Sequence, residues 1–510
     1  MEEKVKDIKT VLPLIFSTFF VAIASIVYEL VIGGISSYLL GNSVWQFSIT
    51  IGLFMTAMGV GSLLSKYITQ ELMTKFILIE IALGLIGGFA AVLLFTSFAL
   101  SNSYKLVMYI LILIIGSLTG LEIPLLTRLV RRYEDIKVVL ANLMSIDYVG
   151  GLVGSILFPI ILLPNLGFIM TSYLMGLLNL AVAVVIYFKY QEQFNRAKVI
   201  LSLLIIAILA LTYGTTQAQQ TQNYLEQRLY RDKVVYSQQS KYQKIVITKD
   251  NQDLRMFLNG NIQFSSQDEY RYHESLVHPV MSLVKEHHQI LVLGGGDGLV
   301  VKQLLQYPEV EKIDLVDLDR AVTTLAQHNK YLLAINDNAL ANKKVTIYNQ
   351  DAYQFLEQSK EKYDVIISDL PDPNNESLNK LYTINFYNLA YNRLHSQGGL
   401  AVQSTSSYFA PRSFWTINQT IKNSYFNFVK PYHCYVPSFG DWGFNLALKG
   451  RKIKVGNINL KVNTKYLTEE NLSTLFHFAK DVAKFKDQVQ ENTLIEPVLI
   501  GQYYREWENY

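Results

Sequence analysis

Gln289-Ile-Leu-Val-Leu-Gly-Gly-Gly-Asp-Gly298 reads as an apolar strand running into a glycine turn, and it decides the fold of half the chain. A helix pattern follows from Val300 to Gln306, and then Ile313-Asp-Leu-Val-Asp-Leu-Asp319, a second strand that ends in carboxylates. This order opens a nucleotide-binding α/β unit, with Asp317 a little over 20 residues past Gly294, where a ribose-binding acid belongs. Asp297 stands inside the glycine turn itself. A negative charge there would spoil a cradle for phosphate or carboxylate and improve one for an amine. The pattern points to a nucleoside whose tail is cationic.

More acids follow at strand ends. Asp351-Ala352 comes after Val345-Thr-Ile-Tyr348, and Asp369 and Asp372 come after Asp364-Val-Ile-Ile-Ser368. In a doubly wound sheet the strand C-termini face one crevice, so Asp297, Asp317, Asp351, Asp369 and Asp372 are expected to converge. Such a crevice repels phosphates and attracts polycations, which argues against nicotinamide dinucleotides. Upstream lie short strand patterns, Val234-Val-Tyr236, Lys244-Ile-Val-Ile-Thr248 and Leu254-Arg-Met-Phe-Leu258. Asn259-Gly260 is a hairpin turn into Asn261-Ile-Gln-Phe264, and the set predicts a small β-subdomain.

The first half is a different material. Of 510 residues, 50% are hydrophobic and 17% charged, and the apolar excess sits before about residue 213. Apolar runs at roughly 11–32, 44–64, 76–98, 106–126, 142–163, 169–188 and 197–213 are each long enough to cross a bilayer. The first is too long for a signal-peptide core and has further spans behind it. Gly84-Leu-Ile-Gly-Gly88 and Gly150-Gly-Leu-Val-Gly154 offer the small-residue spacing that lets helices pack closely in lipid. Glu29, Glu80, Glu122 and Asp147 lie within or near the edges of spans, as internal pairs, a polar pathway or solvated headgroup-level acids. The net charge of +3 gives no case for nucleic acid, and the single Cys434 allows neither an internal disulfide nor a thiolate metal site.

Lys4, Lys6 and Lys9 precede the first span, Lys66 and Lys75 follow the second, and Arg128, Arg131, Arg132 and Lys137 follow the fourth. Lys189, Arg196 and Lys198 follow the sixth, whereas the other connections carry little beyond Lys105. The positive-inside rule places the N-terminus in the cytoplasm, and seven spans would then put the C-terminal half outside. Substrates made in the cytosol pull the other way. A re-entrant span or an external domain would each resolve the conflict.

From about residue 225 the chain resembles the polyamine aminopropyltransferases, the spermidine synthase family. The resemblance rests on an ordered set: Tyr242-Gln243, Asp268-Glu-Tyr-Arg-Tyr-His-Glu274, Gly294 to Gly298, Asp317-Leu-Asp319, Asp351-Ala352, Asp369-Leu-Pro-Asp-Pro373 and Gln403-Ser404. Ile26-Val-Tyr-Glu-Leu30 and Glu122-Ile-Pro-Leu-Leu-Thr-Arg128 resemble the multi-spanning domain fused to some bacterial members. It implies an all-α polytopic membrane domain (1–215, about seven helices) and a linker with the small β-subdomain (216–285). A Rossmann-like catalytic domain of the S-adenosylmethionine-methyltransferase type follows (286–510). It also implies a cell-membrane protein and, from soluble relatives, a homodimer.

The implied reaction moves an aminopropyl group from decarboxylated S-adenosylmethionine to putrescine or a related amine, releasing methylthioadenosine. No metal or redox cofactor is expected, the nucleoside being a co-substrate. Asp369 is the candidate base. Gln243, His273, Gly294, Asp297, Asp317, Asp351 and Ala352 are expected at the donor, and Tyr272, Asp372 and Gln403 at the acceptor. Glu274 reads equally well as a salt-bridge residue.

Two departures stand out. The loop Asp369-Leu-Pro-Asp-Pro-Asn-Asn-Glu-Ser377 lacks the family's small residues between the aspartates and its Gly-Pro. Val436-Pro-Ser-Phe439 lacks the tyrosine that the family places near the acceptor amine, with Trp442 close by. The rival readings are a methyltransferase on the same fold, and a membrane polyamine transporter or sensor whose soluble half only binds.

Overall fold

A computed structural model describes residues 12–101, 103–131, 136–450 and 458–507, and the chain divides into two units, Met1–Val234 and Val235–Tyr510. Of the residues used to orient the spans, Lys4, Lys6, Lys9 and Arg132 lie outside the described residues.

The first unit is helical: α1 (Leu12–Leu40), α2 (Ser43–Leu64), α3 (Leu72–Leu100), α4 (Tyr104–Val130), α5 (Ile136–Leu157), α6 (Leu163–Tyr190) and α7 (Ala197–Leu229). Among the described residues, six continuous helical stretches are long and apolar enough to cross a membrane, and one of them, Ile136–Gln193, has 58 residues. A straight helix of that length would measure about 87 Å, nearly three times a bilayer core. It is not straight. Gly167 adopts φ 70° and ψ −178°, a conformation open to glycine, and breaks it.

Packing shows that the chain reverses there. Gly150 meets Phe19 and Ala22, and Gly154 meets Ile23 and Ile26, so α5 runs parallel to α1. Phe168 meets Phe95, Tyr173 meets Phe89, and Gly176 meets Gly84, so α6 runs antiparallel to α3. Helices α1 and α3 are themselves parallel, with Tyr28 against Gly87 and Tyr38 against Phe95. Pairing of Tyr173 with Gly214 and of Gly176 with Leu211 sets α7 antiparallel to α6. Among the described residues the unit is thus seven alternating segments, with the start of α1 and the end of α7 at opposite ends of the bundle. The glycines read as packing residues do that work: a Cβ on Gly84, Gly88, Gly150 or Gly154 would come within 3 Å of a neighbouring helix.

One expectation needs correction. The linker expected from residue 216, after a span ending at 213, begins as a continuation of α7 to Leu229, because its glutamines are good helix formers however polar. Of the four acids in the spans, Asp147 is half-buried and Glu29, Glu80 and Glu122 are buried. Among the described residues both carboxyl oxygens of Glu80, one of Glu122 and the Tyr28 hydroxyl find no hydrogen-bond partner.

The second unit begins with a four-stranded sheet in the order β1 (Lys233–Gln239), β2 (Lys244–Asp250), β3 (Asp253–Leu258), β4 (Asn261–Ser265). Asn259 and Gly260, at φ 50° and 82°, make the β3–β4 turn. Helix α8 (Glu269–Leu283) follows. The remaining strands are β5 (Gln289–Gly294), β6 (Lys312–Val316), β7 (Val345–Tyr348), β8 (Tyr363–Asp369), β9 (Leu394–Ser406), β10 (Phe428–Val436) and β11 (Gly440–Leu448). They form one seven-stranded sheet in the order β10-β11-β9-β8-β5-β6-β7. The five strands from β9 to β7 are parallel, and the β10–β11 hairpin is antiparallel. The strand order reverses between β5 and β8. Their register, Gly294 opposite Asp369, brings the glycine turn and the candidate base together at the switch point.

Candidate active site

The site is built on that register. A Cβ on Gly294 would lie 2.0 Å from the Asp369 carbonyl oxygen, and Gly295 N–H donates to that oxygen at 3.1 Å. Gly294, at φ 80°, is therefore needed twice, for conformation and for space. Asp297 turns its carboxylate back onto the Leu299 N–H (2.9 Å), while Asn336 fixes its carbonyl (2.9 Å). Asp317 accepts from the N–H of Gly296 (3.0 Å) and of Asp319 (2.9 Å), which ties the end of β6 to the glycine turn.

Helix α8 supplies the opposing wall. The Tyr272 hydroxyl donates to Asp369 at 2.5 Å, and His273 Nδ1 meets the Glu269 carboxylate at 2.9 Å and its carbonyl at 2.8 Å. Burial alone would lower the His273 pKa. Glu269, Asp297 and Asp369 outweigh it and raise it to about 9, so His273 is an imidazolium at neutral pH. Burial lifts Asp297 and Asp317 to about 6, with His273 drawing Asp297 down and backbone N–H donors drawing Asp317 down. Burial also holds Asp369 above its ordinary value, against His273 and the Tyr272 hydroxyl. The crevice is acidic, with the His273 imidazolium at its wall.

Asp372 is held by Thr405 Oγ1 (2.9 Å), Gln403 Nε2 (3.2 Å) and the Tyr503 hydroxyl (3.0 Å). Burial again raises its pKa, and these donors oppose it. Asp297, Asp317, Asp369 and Asp372, expected to converge, do line this end of the sheet.

Other expected residues hold different posts. Gln403 has its amide nitrogen on Tyr382 (2.6 Å), Leu370 and Asp372, and its oxygen on Thr405 N–H (3.0 Å) and Trp442 Nε1 (3.3 Å). Both ends of its amide are engaged within the protein, the nitrogen partly on Asp372. Asp351 caps the helix Ala352–Gln358 through Gln354 N–H (3.0 Å) and pairs with Lys380 at 2.7 Å. An adenine amino group would have to share that carboxylate. Ala352 is buried at the helix start. Gln243 reaches Asp319 (3.1 Å), joined by Ser240 (2.6 Å), so the small sheet docks on an acid given no separate role. Glu274 accepts from the backbone N–H groups of Lys465, Tyr466 and Leu467 at 2.7–3.1 Å and is a structural anchor.

Thr405 and Tyr503 were not foreseen. Thr405 sits at φ 59°, a strained place for a β-branched residue, and strain of this kind collects at functional sites. Tyr503 comes from a helix 131 positions past Asp372 in sequence. Its signal was the aromatic run Tyr503-Tyr-Arg-Glu-Trp507, just after the apolar Val498-Leu-Ile500.

This arrangement has relatives. The family model described as a spermine/spermidine synthase domain matches residues 269–459. The chain is 42% identical to the polyamine aminopropyltransferase of Oceanobacillus iheyensis over 97% of both chains. It is 40% identical to that of Leptospira interrogans over 97% of this chain and 98% of that one. Among solved structures, spermidine synthase in complex with the transition-state analogue AdoDATO matches at TM-score 0.47 and 26% identity, covering 50% of this chain and 89% of that one. The Thermotoga maritima spermidine synthase matches at TM-score 0.46 and 26% identity, over 50% and 88%. With such identity along nearly its whole length, the chain belongs to the polyamine aminopropyltransferase family and is an aminopropyltransferase.

Proposed function

We propose that the enzyme transfers the aminopropyl group of decarboxylated S-adenosylmethionine to putrescine, giving spermidine and releasing 5′-methylthioadenosine. The observation that carries this reading is the pairing of Asp297, an acid inside the glycine turn, with the Tyr272–Asp369 contact across the switch point. Asp317 accepts from the ribose, Asp297 faces the ammonium of the donor's tail, and His273 and Gln243 flank the nucleoside. The acceptor amine attacks the carbon next to the sulfonium. The C–N bond forms as the C–S bond breaks, and that electron pair neutralises the sulfur. The proton shed by the amine goes to Asp369, while Asp372 holds the distal ammonium. A sulfonium leaves readily, so alignment and a free lone pair are what the protein supplies, and the chemistry calls for no metal or redox group.

The test is turnover by the full-length protein in detergent with decarboxylated S-adenosylmethionine and a panel of di- and polyamines. Methylthioadenosine and a new polyamine are expected in equal amounts. Turnover of intact S-adenosylmethionine instead would establish the methyltransferase reading, because the acidic turn should reject the donor carboxylate. No turnover of either nucleoside by folded protein would leave binding without chemistry.

The helical unit, we propose, spans a cell membrane seven times with its basic connections in the cytoplasm. Since the bundle's chain ends lie at opposite faces, the segment after Leu229 emerges outside, and the substrates must reach that face. Alkaline phosphatase fused after Leu229 is expected to be active and green fluorescent protein at the same point dark. The reverse pattern would turn the bundle over.

A further inference from the structure

The family match ends at residue 459, yet the acceptor side of the site does not close until the helix Val498–Trp507. This helix is firmly seated. Glu506 accepts from the N–H groups of Arg412 and Ser413 (2.8 and 3.0 Å), capping the helix Pro411–Lys422, and Thr416 bonds Gln502 at 2.7 Å. Trp507 packs on Phe409 at 5.7 Å, and Phe409 lies against Gly440, the first residue of β11, in the β10–β11 hairpin that also holds Phe439 and Trp442. The same helix lays the Tyr503 hydroxyl on Asp372 Oδ2 at 3.0 Å, and Tyr504 bonds the Asn374 carbonyl beyond it. One element thus touches the Asp372 loop directly and, through Phe409, the aromatic hairpin. Val436-Pro-Ser-Phe439 offers no phenol at the acceptor, and Tyr503 brings one from the other end of the unit.

We infer that the C-terminal helix completes the acceptor site, with Tyr503 as the residue that positions Asp372 and sets which α,ω-diamine is accepted. This rests on the aminopropyl-transfer reading. Asp372 carries the distal ammonium, so the direction of its carboxylate fixes the distance at which the attacking nitrogen reaches Asp369. Tyr503, with Thr405 and Gln403, fixes that direction. A longer amine then fits only when the carboxylate is freed to turn.

The full-length enzyme is compared with Tyr503→Phe and Tyr503→Ala, measuring kcat and KM for donor and for putrescine, cadaverine and spermidine. Tyr503→Phe removes one hydrogen bond to a charged group, so the putrescine KM is expected to rise about tenfold. The donor KM should stay within about twofold, which a general loss of folding would not spare. Tyr503→Ala is expected to shift the kcat/KM ratio of spermidine to putrescine upward by about tenfold or more. Unchanged amine KM values and ratios in both variants, with an active parent, would overturn the inference alone. An inactive parent would overturn the transfer reading and this inference with it.

Discussion

Asp369→Asn is expected to lower kcat by about 10²–10⁴-fold while the donor dissociation constant stays within about threefold. The asymmetry follows from where the residue sits. Its carbonyl, which Asn retains, accepts the Gly295 N–H and keeps the glycine turn in place. Its carboxylate points to the acceptor side, onto the Tyr272 hydroxyl at 2.5 Å. An alkylamine is an ammonium at pH 7, and its lone pair exists only once a base takes the proton. Burial lifts the Asp369 pKa towards that of its partner, which makes it a better base than an exposed aspartate. Steady-state release of methylthioadenosine, set beside equilibrium nucleoside binding, separates the two quantities. A fall in kcat of less than about tenfold would show that proton removal lies elsewhere. Tyr272→Phe should cost less, and the double variant no more than Asp369→Asn alone, because the pair acts as one unit.

The parts of this site legible in sequence share one property: their position follows from a strand. Asp297, Asp317, Asp369 and Asp372 end or follow apolar strands, and strand ends in a doubly wound sheet face one crevice whatever the side chains do. Gln403 follows the same rule, and Tyr382, Thr405 and Trp442 engage its amide. Lys380 does the same to Asp351. No local pattern announces these partners, since each comes from another element. Tyr503 is the extreme case, a contact made only after the sheet is complete. In the helical unit, length and apolarity placed the helices, and Gly84, Gly88, Gly150 and Gly154 placed their contacts. The reversal at Gly167 was legible as a gap between two apolar runs. The continuation of α7 was not, because a polar helix leaves no hydropathy signal.

Asp297→Asn is expected to weaken decarboxylated S-adenosylmethionine by about 100-fold, the scale of losing a partly buried charge pair. Intact S-adenosylmethionine should weaken far less or gain, since the variant loses both the attraction for the ammonium and the repulsion of the carboxylate. The selectivity between the two nucleosides, rather than affinity alone, is the decisive readout. Titration gives a second. With Asp297 and Asp317 both raised to about 6, both are protonated as pH falls through that value, and the donor loses two anionic partners. The parent's equilibrium affinity for the donor, which does not need the base Asp369, should fall below pH 6 with a limiting slope near two, and the variant's with a slope near one. Stability runs the opposite way. An acid whose folded pKa is raised binds its proton more tightly in the folded state, so folding loses free energy as pH rises from the unfolded value near 3.8 through 6. Asn carries no such charge, and Asp297→Asn should melt about 2–4 °C higher than the parent at pH 7. A variant that melts no higher and keeps its preference for the decarboxylated donor would remove Asp297 from the donor site. A more stable protein that no longer tells the two nucleosides apart would mean that the strained charge in the turn is kept for selectivity, at the expense of the fold.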